Sequence, residues 1–235
     1  MCSAEFKDFL EFFAGYYERR IHAFTDIVID NTVIYGRDQL KAMFLENRKH
    51  MTVESRLNRL WQRVCQHAEP YYKSVYDKYK PLVYDNPKYT FEEDRRIDKA
   101  IAKYRANFER KYKKQFKLRI IDIYKEMINC RHILPPNAEK HLHTVETSLA
   151  RGVLPFYAAV GALYLKLLLC GTPIRKGKET YKIKHVIIDE AQDYFELHYH
   201  LFNKLFPDAS FTVLRDLNQT VIGSDRKSTR LNSSH

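Results

Sequence analysis

The chain has 235 residues, 45% of them hydrophobic and 14% aromatic, enough for one large or two small domains with a core of ordinary size. Seven glycines and eight prolines are too few for a turn-rich sandwich or barrel and favour helices. Forty Lys and Arg against 29 Asp and Glu leave a net charge of +11, which suits a polyanionic partner and equally a basic, solvated surface.

The cysteines, Cys2, Cys65, Cys130 and Cys170, are scattered. They exclude a C-x-x-C zinc site and a disulfide framework, so no disulfide-linked partner is expected and a reduced, cytoplasmic setting fits. Charged residues between Met1 and Phe9 argue against a signal peptide. Val153 to Cys170 is the longest apolar run, but Pro155, Gly161 and Lys166 interrupt it. It reads as a buried helix, and no membrane partner is expected.

In chain order, Ser3 can cap a helix over Ala4 to Arg19 with Phe6, Leu10, Phe13 and Tyr17 on one face. β-branched runs around Asp30-Asn31 signal a short hairpin, and a helix follows Gly36. Thr52 opens another helix with Leu57, Leu60, Trp61, Val64 and Ala68 as its stripe. Tyr71 to Lys88 reads as an irregular connection. Thr90 to Glu93 forms a capping box. Apolar residues from Ile97 to Met127 then recur at steps of three and four, predicting one helix of nearly forty residues. Arg105, Arg110, Lys113, Lys114 and Lys117 on its sides are candidate contacts for nucleic acid or a large enzyme complex, although a charge run is usually a solvated face. Pro135-Pro136 closes this region and a helix starts near Asn137. His141 and His143 lie two apart and make a poor metal pair.

Lys182 to Ile188 is a β-branched run of the kind found in buried central strands, and Asp189 and Glu190 follow at its end. Ligands bind at that edge of open α/β sheets. One acid there can hold Mg²⁺, largely through water, and the next can orient or deprotonate an attacking water. Gln192 and Asp193 extend the polar cluster. A helix from Tyr194 to Phe206 leads to a second strand, Phe211 to Leu214, ending in Arg215 and Asp216. Strand, helix, strand predicts a parallel crossover with both polar ends on one edge. In the alternative reading, the two acids merely cap the next helix.

Asp189-Glu-Ala-Gln-Asp193 resembles the Walker B motif of UvrD/Rep-type superfamily 1 helicases, and Asp216-Leu-Asn-Gln219 resembles their motif III. Asp189 to Tyr194, Asp216 to Thr220 and the Leu163 to Gly171 helix end look most like the HelD-type motor ATPases, which bind and recycle RNA polymerase. That resemblance implies an incomplete RecA-like P-loop ATPase domain (residues 151–224), preceded by a basic helical insertion arm (residues 1–150). It implies ATP and Mg²⁺ as cofactors and RNA polymerase or DNA as partner. It gives Asp189 to the metal, Glu190 to water activation and Gln219 to sensing the γ-phosphate. Asp216 would support Gln219, and Gln192 with Asp193 would couple the nucleotide site to the motor. Residues 225–235 read as a translated sequencing adapter and carry two of the eleven net positive charges.

Two departures from the pattern stand out. Arg215 occupies the position of the family's glycine. No G-x-x-x-x-G-K-[ST] phosphate loop occurs, since Gly171 to Lys178 lacks the register. The resemblance therefore puts Walker A upstream of these residues. The alternatives are a UvrD-like repair helicase and a non-catalytic helical binding module.

Overall fold

The computed structural model of the chain describes residues 4–20, 24–46, 51–84, 91–130, 139–172 and 183–216. Helices dominate them: α1 (Ala4–Arg20), α2 (Arg37–Glu46), α3 (Val53–Tyr84), α4 (Phe91–Tyr112), α5 (Ile120–Asn129), α6 (Glu139–Ala150), α7 (Phe156–Cys170) and α8 (Glu196–Leu205). The described residues form two small sheets. β1 (Ile27–Ile29) pairs antiparallel with β2 (Thr32–Tyr35), and β3 (His185–Ile188) pairs parallel with β4 (Ser210–Val213). The fold is a mainly helical α/β mixture. No described helix is long and apolar enough to cross a membrane.

α7 explains how the helices assemble. It is apolar nearly all round, so it is buried from several sides. α1, α3, α5 and α8 all pack on it. Gly161 lets α1 and α5 come close: a methyl group there would lie 3.1 Å from both the Phe6 ring and the Tyr124 hydroxyl. Tyr164 donates from its hydroxyl to Glu11 Oε1 of α1 at 2.7 Å. One apolar cluster thus runs from Phe6 through Tyr124 and Leu165 to Leu201, on both sides of residue 150.

The hairpin turns where expected. Asp30 and Asn31 both have positive φ, 47° and 63°, as a two-residue turn matched to strand twist requires. Asp26 Oδ1 accepts from the Arg37 N–H at 2.7 Å and so ties the hairpin to the start of α2. Thr52 Oγ1 accepts from the Ser55 N–H at 3.2 Å, capping α3. Ser3, Thr90 and Pro135-Pro136 lie outside the described residues.

Three expectations are corrected. Tyr71 to Lys88 is not irregular up to Tyr84, because α3 runs through it. Its buried stripe Val64, Ala68, Tyr72 continues at steps of four across Pro70, and Tyr72 packs edge-on against Tyr104 and Phe108 of α4. Burial outweighs the hydrogen bond that a mid-helix proline removes.

The forty-residue helix does not form either. α4 stops at Tyr112, a 3₁₀ turn covers Lys113–Phe116, Lys117 is extended, and α5 restarts at Ile120. Aromatic packing overrides the period. Phe116 turns inward against Phe24 and Trp61, with ring centres 5.7 and 5.4 Å away. The Tyr112 hydroxyl donates to Val28 O at 3.0 Å.

Finally, among the described residues β3 is not a buried central strand. It lies in a two-stranded sheet, and only Ile188 of its four residues is buried. Ile187 is 65% exposed.

The helical core also contains a buried charge. Arg56 of α3 is 3% exposed, pairs with Glu18 at 2.9 Å, and stacks 4.3 Å from the Phe44 ring. Removing one partner of a buried pair strands the other. Arg56→Ala should therefore cost about 3 kcal/mol, read as a lowered urea midpoint with an unchanged slope. A loss below about 0.5 kcal/mol would mean that the pair behaves as a surface one.

Candidate functional site

The β3–β4 edge brings the acidic segment beside the second strand. The two strands run in register, His185 opposite Ser210 and Ile188 opposite Val213. α8 forms the crossover, so both C-terminal ends point the same way. Two backbone hydrogen bonds continue the pairing past the strands. Leu214 N–H donates to Ile188 O at 2.8 Å, and Ala191 N–H donates to Leu214 O at 3.0 Å. Asp189 and Glu190 are held between these two bonds, and both are exposed.

Glu190 turns the chain. Its backbone is left-handed, at φ 51° and ψ 45°, a region that costs a non-glycine residue about 1–2 kcal/mol. The Glu190 N–H donates to Asp189 Oδ1 at 2.9 Å, which offsets part of that. A 3₁₀ turn then covers Ala191–Asp193, closed by Asp193 N–H onto Glu190 O at 2.9 Å. Gln192 and Asp193 thus stand on this turn, at the entry to α8. Gln192 Nε2 donates to Glu190 Oε2. Gln192 Oε1 is buried with no hydrogen-bond partner, so this amide has spare acceptor capacity inside the turn.

α8 braces the turn from behind. The Tyr199 hydroxyl donates to Ala191 O at 3.0 Å. Burial raises the Tyr199 pKa, and nearby Arg215 lowers it. Tyr194 packs edge-on against His198, Tyr199 and Phe202. His198 is 3% exposed. Its Nδ1 accepts from the Phe195 N–H at 3.0 Å, and burial holds its pKa below the ordinary value of 6.5. Sequence pattern gave no sign of these two supports. Tyr199 and His198 read there as members of an amphipathic helix.

Asp189, Glu190, Gln192 and Asp193 are thus brought together, and Arg215 and Asp216 follow β4 at the same end of the sheet. Gln219 lies outside the described residues. Arg105, Arg110, Lys113, Lys114 and Lys117 form a separate surface on α4 and its 3₁₀ turn, which pack against α3.

The donor set suits a hydrated divalent ion better than a protein-caged one. Among the described residues no three His, Cys, Asp or Glu converge on a metal position. Mg²⁺ needs only one or two carboxylates when waters and phosphates complete its shell, and the Asp189–Glu190 pair meets that requirement. Gly171, at φ 76°, ends α7, its N–H donating to Leu167 O at 2.9 Å, and the stretch from Pro173 to Lys178 lies outside the described residues. Cys65, Cys130 and Cys170 are free thiols, and burial raises Cys170 to about 11.

No protein-family model matches the chain, and no curated protein matches it significantly.

Two expectations follow from the bracing of the turn. Tyr199→Phe leaves Ala191 O without its side-chain donor and should cost about 1 kcal/mol, measured by chemical denaturation; an unchanged midpoint would contradict the brace. For His198, the unfolded imidazole binds a proton more readily than the folded one. Stability is therefore complete above pH 6.5 and falls as pH drops below it. His198→Asn, which does not titrate, should flatten that decline in thermal melts between pH 7 and 5. An equally steep decline in the variant would assign it to other groups.

Proposed function

We propose that Asp189 and Glu190 are the metal-holding and water-activating acids of an ATP-driven nucleic-acid motor, in a RecA-like domain of the superfamily 1 type. The observation that carries this reading is the pair of carboxylates held between two cross-strand hydrogen bonds at the C-terminal end of a parallel β-α-β unit. Phosphates approach that edge in open α/β sheets. The exposed apolar residues Ile183, Ile187, Val213 and Leu214 on and beside these strands also fit a sheet that continues with further strands.

In this reading Asp189 would hold Mg²⁺, which would supply charge neutralisation at the ATP phosphates. Glu190 orients the attacking water, and the Gln192 amide holds the Glu190 carboxylate in place. Asp193 links the site to α8. Asp216 and Gln219 follow the neighbouring strand as supports and sensor of the terminal phosphate. Arg215, where the superfamily pattern has glycine, places a cation at the same edge.

The resemblance of Leu163 to Gly171, Asp189 to Tyr194 and Asp216 to Thr220 narrows the class to a HelD-like cytoplasmic motor acting on RNA polymerase–nucleic acid complexes. The helices before residue 150 would then be its insertion arm. A UvrD-like repair helicase would instead unwind partial duplexes, whereas a HelD-like motor would co-purify with RNA polymerase.

The phosphate loop such a site requires is not among these 235 residues. The chain assayed alone should show no ATP turnover. Turnover above background that Glu190→Gln abolishes would contradict this. In the intact motor, Glu190→Gln should slow hydrolysis at least about 100-fold while nucleotide binding holds, by single-turnover hydrolysis and equilibrium binding. Unchanged hydrolysis there would end the motor reading.

A further inference from the structure

The break between α4 and α5 builds a surface that neither the acidic turn nor the nucleotide reading uses. Five cations line an open, shallow groove of about 560 Å³. Ala102 and Ala106 lie along it with no long side chains, so a chain-like ligand can approach the helix backbone. At Lys113 the α-helix tightens to a 3₁₀ turn, and Lys117 is extended. That change of geometry gathers Lys113, Lys114 and Lys117 beside Arg105 and Arg110.

A solvated helix face usually mixes both signs of charge. Here the lining holds one acid, Glu109, and Lys113 neutralises it at 2.9 Å. Arg105 is steadied by Glu69 at 2.6 Å and by the Tyr72 ring at 5.3 Å. Arg110 is steadied by the neutral Asn107 amide at 3.1 Å, which leaves its charge uncompensated. Among the described residues no acid pairs with Lys114 or Lys117, and both are exposed. The groove thus carries three uncompensated positive charges and a fourth in an exposed pair that a stronger anion can displace.

We infer that this groove binds the phosphodiester backbone of a nucleic acid without reading its sequence. Among the described residues no aromatic side chain lines it, so bases find no stacking platform there. The contacts available are cation to phosphate, which position a nucleic acid but do not specify it. The site is independent of ATP hydrolysis, so it can be tested on the 235-residue chain without nucleotide.

The experiment is fluorescence anisotropy with a labelled 20-nucleotide single strand and its duplex. Three or four phosphate contacts give a log–log salt slope of about −2.7 to −3.6 on duplex, roughly a 40- to 150-fold loss of affinity between 50 and 200 mM salt. Arg110→Glu/Lys114→Glu/Lys117→Glu should weaken binding at least tenfold more than Lys41→Glu/Lys125→Glu/Lys166→Glu. The second variant changes net charge equally at exposed positions on other helices. Neutral Gln at the three groove positions gives a smaller loss in the same order and serves if the reversed variant misfolds. Equal losses in the groove and control variants would overturn the inference, because overall charge would then explain binding. So would a wild-type chain that binds neither oligonucleotide at 50 mM salt.

Discussion

The candidate site depends on one short piece of backbone pairing. Leu214 gives its N–H to Ile188 and takes the Ala191 N–H on its carbonyl. These two bonds bracket Asp189 and Glu190 and force the reversal that puts Glu190 in the left-handed region. Were the register of β3 on β4 to slip by one residue, every side chain on the strand would change face. Much of the remaining structure keeps this unit in place. α8 ties the turn to the helices through Tyr199, and the N–H of Ala4 on α1 donates to Glu196 of α8 at 2.9 Å. α7 then joins α8 to the rest of the helical core.

What the sequence disclosed follows from which signals are local. Hairpin turn, capping threonine, apolar helix and the parallel strand–helix–strand unit all rest on short-range chemistry. Asp30-Asn31 tolerates positive φ, Thr52 carries an acceptor, and Val186 to Ile188 is β-branched or apolar without a helical period. These were legible. The failures came where tertiary packing prevailed. Phe116 fits the helical period from Ile97 to Met127 as well as Tyr112 does. Only the contact with Phe24 and Trp61 makes the chain turn there. Proline and repeated tyrosines after Tyr71 signalled a break, yet Tyr72 had a partner on α4 that sequence could not reveal.

The site itself was half legible. Two adjacent acids after a strand are visible in any reading, and their placement beside the end of β4 agrees with it. The left-handed backbone of Glu190, the buried oxygen of Gln192 and the buried His198 behind the turn were not visible, because each depends on three-dimensional surroundings. The exposure of β3 is likewise a property of neighbours rather than of the strand's own residues. A β-branched run records what a strand can bury, not how much of it is covered.

In the proposed motor, Glu190 and Gln219 would act on one phosphate. A double-mutant cycle on hydrolysis by the proposed motor, with Glu190→Gln, Gln219→Ala and both together, tests that proposal most directly. Groups that act as a unit are strongly non-additive, so the double variant should be scarcely slower than the worse single one. Losses that multiply independently, or a Gln219→Ala enzyme with wild-type turnover, would contradict the account.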